Sequence, residues 1–518
     1  MPALASLPAE LALVGVVGAS LLGVHPLAAP AALACVTTKL VLERALRWQA
    51  TPAALALAIG QLPHGAWLAW PLLMLALALV VAIPQPSGPP PFTGPYAVGF
   101  IDAQLLVGDV PLLVRALYPV SKLLPAASRR ARYFSVDGRR VCSSMTTSCG
   151  PPPLNRHAFS FILDHLCLVR APICQGGPHL PLGTAVPPPV VVFAHGLSST
   201  REQYLGIVGE LASRGLVVLC IEHTNRTAML ARFPDGAVVT YSTAEAELER
   251  VDPSLYEHTR RLQLEYQSVE FVAALDAARA LGGEAGAPEL GAGPRDVGGA
   301  ARLLATLSGR IDGSALVAAG HSMGAVTAAV GAVRAPVAVR ACVLLDPTTD
   351  WLPDDASRAA LIGEAGARIA CSPHERQHRP LLPTRRSLDA TAVLTLISED
   401  WRHSRPSVPR LLRAHAAAHG HGPGSEFAYV AGMHHVGHSD IPSLLPPALA
   451  RALNFLSADV DAQQACLRVR SRVVHFLERL GLCQHAPCIG AVAAATAREA
   501  DERHLLELLV LPLSAHGS

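Results

Sequence analysis

Charge is scarce in this chain of 518 residues. Only 16% of them are Asp, Glu, Lys or Arg and the formal net charge is +2, so no broad basic field exists to hold nucleic acid, and that class of function is excluded. Cysteine is thinly spread, with 11 residues over the whole length; this is not the dense framework of a small disulfide-built scaffold. Cys483 and Cys488, with His485 between them, have no second ligand pair nearby, and no metal site is expected there. No Lys or Arg precedes Lys39, which removes the positive segment that a cleaved signal peptide uses. From Leu11 to Val36 there is no charged side chain at all.

Apolar residues make up 51% of the chain, more than a typical soluble protein carries. Part of that excess lies at the N-terminus. Gly65 to Ile83 is an uncharged run long enough to cross a hydrocarbon core as a helix of about 20 residues, with Trp67 and Trp70 near one interface. Leu11 to Val36 is a weaker span because Pro26 and Pro30 interrupt it; Thr51 to Ile59 leaves a three-helix anchor open, but the 34 residues from Thr51 to Pro84 fit better as one span preceded by an interfacial turn. Residues 1–84 are therefore expected to be a transmembrane region. Lys39, Arg44 and Arg47 crowd the loop between the runs, which should keep it cytoplasmic and place the remainder of the chain on the lumenal or external side. Residues 85–94 (QPSGPPPFTG) form a Pro-rich linker, 95–482 the catalytic body and 483–518 a tail.

Within the body, Val190 to Ala194 is a continuous apolar run of buried-strand type, Gln203 to Arg214 reads as a helix and Leu216 to Ile221 as the next strand. Strand, helix, strand implies a parallel sheet covered by helices on both faces. Leu112 to Tyr118 reads as an early strand, Ala158 to Arg170 as a core helix and Leu255 to Leu281 as a long helix. Gly282 to Gly299 and residues 352–390 read as insertions without period. Further strands are expected at Ala341 to Leu345, Ala392 to Ile397 and Phe427 to Ala431, with helices at 442–456 and 463–480 and an amphipathic segment from Val492 to Leu511.

The chemistry centres on Leu316 to Val330, LVAAGHSMGAVTAAV. An apolar strand, then Gly320-His321-Ser322-Met323-Gly324, then a helical run of small residues, is the pattern of a sharp turn that lifts a serine hydroxyl above the sheet. A serine is a weak nucleophile at neutral pH, so Ser322 needs a base, and the base needs an acid to orient it. In this architecture the acid and then the His follow the Ser, each after a strand. Asp346 directly follows an apolar strand and is favoured over Asp350, four positions further into the loop. The loop after Phe427 to Ala431 offers His434, His435 and His438, among which the pattern alone does not choose. An oxyanion needs two backbone N–H groups, one from Met323 after the nucleophile and one from the loop after the earlier strand, where Leu197 is the candidate.

The segments FTGPYAVG (92–99), VVVFAHGLSSTREQY (190–204), LASRGLVVLCIEHTNRTA (211–228), GHSMGA (320–325), ACVLLDPTTDW (341–351), LTLISEDW (394–401) and AGMHHVGHSD (431–440) resemble the platelet-activating-factor acetylhydrolase family of calcium-independent phospholipases. That resemblance implies an α/β-hydrolase fold, Ser322 as nucleophile, Asp346 as acid and His435 as base, because the family's G-x-x-H spacing runs from Gly432. It puts Leu197 and Met323 at the oxyanion positions and implies no metal and no cofactor. The implied activity is release of an acetyl, short or oxidised sn-2 acyl chain from a phospholipid; the membrane as a partner is expected from the apolar N-terminal runs, a region the family's secreted member lacks. The alternatives are a general carboxylesterase and a membrane-tethered, inactive hydrolase-like scaffold.

Overall fold

The computed structural model describes residues 7–22, 51–60, 66–82, 88–121, 131–134, 138–149, 163, 166, 169–176, 186–352, 388, 391–404, 422–457 and 460–483. The chain divides into two compact units, one of residues 1–90, 131–171 and 440–463, the other of 91–130, 172–439 and 464–518.

The first unit contains three apolar helices, α1 (Leu7–Leu21), α2 (Thr51–Gly60) and α3 (Ala66–Ala82). They pack through Val14, Val17, Ala53, Ala56, Leu57, Ala69, Leu73 and Ala76, a seam rich in small side chains that lets the backbones approach. Leu55, Trp67, Leu68, Met74 and Leu75 stay exposed. Two expectations need correction. Thr51 to Ile59 is a helix and not an interfacial turn, and among the described residues no helix is long and apolar enough to cross a membrane. The expected span is the 17-residue α3, which at 1.5 Å per residue reaches about 25 Å against a hydrocarbon core of about 30 Å.

The second unit is built on a ten-stranded sheet. Its strands are β1 (Ala97–Val107), β2 (Val110–Val120), β3 (Ile173–Gln175), β4 (Pro189–Ala194), β5 (Val217–Ile221), β6 (Leu290–Ala292), β7 (Asp312–His321), β8 (Ala341–Leu345), β9 (Ala392–Ser398) and β10 (Glu426–Val430). They lie in the order β6, β1, β2, β5, β4, β7, β8, β9, β10, with β3 beside β1. From β5 to β10 every neighbour is parallel, and β1 and β2 form an antiparallel hairpin that joins this block through β5. The helices of this unit include α4 (Leu205–Ser213), α5 (Pro253–Gly282), α6 (Gly299–Leu307), α7 (Met323–Arg334) and α8 (Ala462–Arg479).

Alternation along the strands assigns the two faces. Val190, Val192 and Ala194 of β4 share a cluster with Leu264, Phe271 and Leu275 of α5 and with Val326 and Val330 of α7, whereas Phe193 meets the Tyr204 ring, just ahead of α4, at 5.0 Å. Helix α5 starts where Asp252 accepts the Leu255 N–H and Pro253 occupies the first turn, and it stops at Gly283, whose φ of 79 lets the chain turn away. The end of the Pro-rich stretch is tied down: the Thr93 N–H donates to Glu210 (2.8 Å) and the Gly94 N–H to Ser213 Oγ (3.1 Å) on α4.

Gly282 to Gly299 corrects another expectation. It is not only a surface insertion, because it supplies β6, which pairs antiparallel with β1, and Asp296, which accepts the N–H groups of Gln104, Gly298 and Ala300. A three-residue strand is too short to leave a periodic signal. Ala158 to Arg170, residues 352–390 and Val492 to Leu511 lie largely or wholly outside the described residues.

Candidate active site

Parallel register gathers the site at the carboxyl ends of the central strands. Ala194 pairs with Gly320, His321 with Leu345, and Leu345 with Leu396, so the loops that follow β4, β7 and β8 leave the sheet side by side. The loop after β10 joins them, since Val430 pairs with Ser398 at the end of β9.

Ser322 stands between β7 and α7 with φ 56 and ψ −121, a left-handed conformation that a non-glycine residue adopts at a cost of about 1–3 kcal/mol. The turn is held by the Ser322 N–H donating to Leu345 O at 2.8 Å. The flanking glycines are sterically required. A Cβ on Gly320 would lie 2.2 Å from Gly324 O, and one on Gly324 would lie 2.3 Å from Ala194 O.

Asp346, wholly buried at the end of β8, receives the Ser398 N–H on Oδ1 (2.7 Å). Its Oδ2 takes the Ser398 hydroxyl and lies 3.0 Å from His435 Nδ1 and 3.3 Å from His438 Nε2. Burial pushes this carboxyl's pKa up, but the electrostatic pull of His438 and the hydrogen bond from His435 outweigh it and hold the pKa well below the usual range. The group is an anion with its lone pairs spoken for, suited to orienting a base and not to taking a proton itself.

His435 completes the line: its Nε2 is 3.0 Å from Ser322 Oγ, and its ring stacks on Trp401 with centroids 4.0 Å apart and planes 14° off parallel. With Nδ1–H given to Asp346, Nε2 is left as the acceptor facing the serine hydroxyl, a tautomer fixed by this network. The other imidazoles do different things. His434 Nδ1 approaches Asp400 at 3.7 Å, and His438 is buried with Nε2 3.3 Å from the same Asp346 oxygen that His435 contacts. Asp350, the rival acid, is exposed. Thr348 Oγ1 lies 3.2 Å from Ser322 Oγ and gives that hydroxyl a second neighbour.

The loop His195 to Ser199 shows which N–H is left to receive an oxyanion. Gly196 N–H goes to Tyr204 OH (3.0 Å), Ser198 N–H to Thr227 O (2.8 Å) and Ser199 N–H to Gly196 O (3.2 Å). Leu197 N–H has no acceptor among the described residues. Met323 N–H heads α7, where the first turn of a helix has unsatisfied donors and a partial positive charge. Behind the loop, His195 Nδ1–H donates to Gly196 O (2.8 Å) and His195 Nε2 accepts the His223 N–H (3.2 Å). His223 Nδ1 in turn meets Glu270 Oε2 at 2.6 Å; burial pushes the Glu270 pKa up to about 8 and the His223 pKa well below its usual value.

Among the described residues, the one group whose donor atoms converge enough to surround a metal ion is His321, Asp346 and His435, within 4.8 Å of one another. His435 and Asp346 are already hydrogen-bonded to each other, and His321 Nδ1 to Tyr204 OH at 2.9 Å. All the residues singled out for the chemistry therefore lie beyond the carboxyl ends of the parallel strands. Ser398, Trp401, Thr348 and Tyr204 were not singled out; Ser398 had a signal in its place at the end of a strand, and the other three had none.

A family model described as platelet-activating factor acetylhydrolase, isoform II, matches residues 88–356, a stretch that holds Leu197, Ser322, Met323 and Asp346 but ends before His435. Among solved structures, the chain is similar to a ferulic acid esterase from Streptomyces cinnamoneus, at 21% identity over 76% of this chain and 92% of that one, with a TM-score of 0.45. It is also similar to esterase 2 of Thermogutta terrifontis, at 13% identity over 60% of this chain and 89% of that one, with a TM-score of 0.34. With a mostly parallel sheet, a serine on a strained strand-to-helix turn, and the family match over more than half its length, the chain belongs to the platelet-activating factor acetylhydrolase, isoform II, family of ester hydrolases.

Proposed function

We propose that the protein is a serine lipase that releases an acetyl, short or oxidised acyl chain from the sn-2 position of platelet-activating factor or a related phospholipid, by way of an acyl-enzyme. The observation that carries this reading is His435 standing 3.0 Å from both Ser322 Oγ and Asp346 Oδ2 in a chain of this family. His435 Nε2 takes the Ser322 proton as Oγ attacks the ester carbonyl. The oxyanion that forms accepts the Leu197 and Met323 N–H groups. As the C–O bond breaks, His435 returns its proton to the departing lysophospholipid oxygen. Water, deprotonated by the same imidazole, then attacks the acyl-serine, and the free acid leaves with Ser322 restored.

The protein is also proposed to work at a membrane. Support comes from α2 and α3, which carry no charged side chain and leave Leu55, Trp67, Leu68, Met74 and Leu75 exposed.

The test is a lipid panel on the detergent-solubilised full chain beside Ser322→Ala. Hydrolysis of short-chain or oxidised sn-2 phospholipids, lost in Ser322→Ala together with fluorophosphonate labelling, is the expected result. Turnover confined to monomeric soluble esters would favour a general carboxylesterase. A wild-type chain that neither turns over nor takes the probe would leave the inactive scaffold.

A further inference from the structure

Tyr204 is buried just ahead of α4, with no catalytic atom of its own. Its hydroxyl nevertheless touches both halves of the machinery: it accepts the Gly196 N–H of the oxyanion loop at 3.0 Å, and it lies 2.9 Å from Nδ1 of His321, the residue before the nucleophile. It also lies 3.2 Å from Ser199 Oγ. The proton directions follow from the neighbours. Ser199 gives its own hydrogen to Gln203 Oε1, so it accepts from Tyr204. The phenol oxygen is then the acceptor for Gly196 N–H and for His321 Nδ1–H. Burial, and then the neighbouring His435 and His438, hold the His321 pKa well below its usual value, so this imidazole is neutral with a single N–H to give.

The loop and the turn are also in steric contact at this point. A Cβ on Gly196 would lie 3.1 Å from His321 Nδ1, 3.2 Å from Ser322 Cβ and 3.2 Å from the Tyr204 hydroxyl. His321 in turn packs its ring 4.6 Å from that of His435 and 5.4 Å from that of His438. The Phe193 ring, 5.0 Å away, backs the phenol.

We propose that Tyr204 is a positioning residue that sets the register between the oxyanion loop and the serine turn: one hydroxyl fixes Gly196, and hence the Leu197 N–H beside it, relative to His321, Ser322 and His435. The inference rests on the assignment of Leu197 as an oxyanion donor. Because the hydroxyl acts through the loop, its loss misplaces a donor for the transition state and leaves ground-state binding nearly unchanged.

Tyr204→Phe keeps the ring against Phe193 and removes only the hydroxyl. The full chain is assayed with p-nitrophenyl acetate, with rates taken per active site titrated by a fluorophosphonate, so that a smaller folded fraction does not register as a slower enzyme. Two reversible ligands are compared: a trifluoromethyl ketone, whose adduct with Ser322 places an oxyanion in the hole, and the matching alcohol, which forms no adduct. The expected result is a fall of about 10-fold in both kcat and ketone affinity, below the 10²–10³ that follows removal of a donor itself, with KM and alcohol affinity within about 2-fold of wild type. His321→Leu cuts the same link from the turn side and carries the same test should Tyr204→Phe fail to fold. In the double variant the two losses should not multiply, because one link is cut twice. Equal losses for ketone and alcohol, no loss for either, or multiplying losses would overturn the proposal. None of these probes is a phospholipid, so the proposed substrate class can fail without deciding this question.

Discussion

Replacing Asp346 with Asn keeps the volume at the end of β8 and changes the donors. In the native site His435 Nδ1, 3.0 Å away, gives its hydrogen to Oδ2; His438 Nε2 stands 3.3 Å from the same oxygen, and the Ser398 hydroxyl lies between Oδ2 and the Asp400 carboxylate, 2.8 Å from the latter. The Ser398 N–H, 2.7 Å from Oδ1, holds the other oxygen, so the amide oxygen of Asn would keep that bond and its NH2 would face the imidazoles. Two donors then meet across the His435 contact, and His435 relieves the clash by moving its proton to Nε2. That nitrogen now presents N–H to Ser322 Oγ and has no lone pair to take the serine proton. The loss should be about 10³–10⁴ in kcat, equivalent to about 4–5.5 kcal/mol at 1.36 kcal/mol per tenfold. Ester turnover per mole of folded protein, with folding checked by thermal melting, measures it. A variant that folds normally and keeps more than a tenth of the wild-type rate would refute the assignment of Asp346 as the group that orients the base.

His435→Ala should be nearly inactive while His434→Ala retains most of its rate, since only His435 reaches Ser322; equal losses in ester turnover would show the wrong imidazole has been assigned. Burial raises the Glu270 pKa to about 8, so this carboxyl's contribution to stability is complete below the ordinary carboxylate pKa and is lost as pH rises through about 8. Glu270→Gln should therefore flatten the fall in melting temperature between about pH 4.5 and 8, and an unchanged slope there would contradict the buried, protonated state. Carbonate extraction of membranes from cells expressing the full chain should leave the protein in the pellet. Recovery in the soluble fraction would mean that the apolar N-terminal helices do not serve as an anchor.

The serine turn was legible from residues alone because its constraints are local. Gly320 and Gly324 are demanded by backbone atoms within a few residues of them or on the adjoining strand, and strand, turn and helix follow one another in the chain. The buried parallel strands were legible for the same kind of reason: a strand covered on both faces reads as an unbroken apolar run, as in β4, β5 and β8. Other features depend on partners far away in sequence. Three imidazoles in one loop look alike in the chain, and only the register that sets β8, β9 and β10 side by side brings His435 between Ser322 and Asp346, sends His434 toward Asp400 and buries His438. Trp401 and Tyr204 carry no local mark of their roles, since a ring stack and a shared hydroxyl arise from packing between separate elements. Composition likewise registered that the N-terminus is apolar, but helix length and mutual packing decide what an apolar run builds, and α1, α2 and α3 bury small side chains against one another while leaving large ones exposed. Local sterics and pattern therefore determined the nucleophile, the type of sheet and the Leu197 and Met323 donors, and the family's G-x-x-H spacing pointed to His435; tertiary pairing alone decided the supporting groups, Ser398, Trp401, Thr348 and Tyr204, because they meet the site from separate elements.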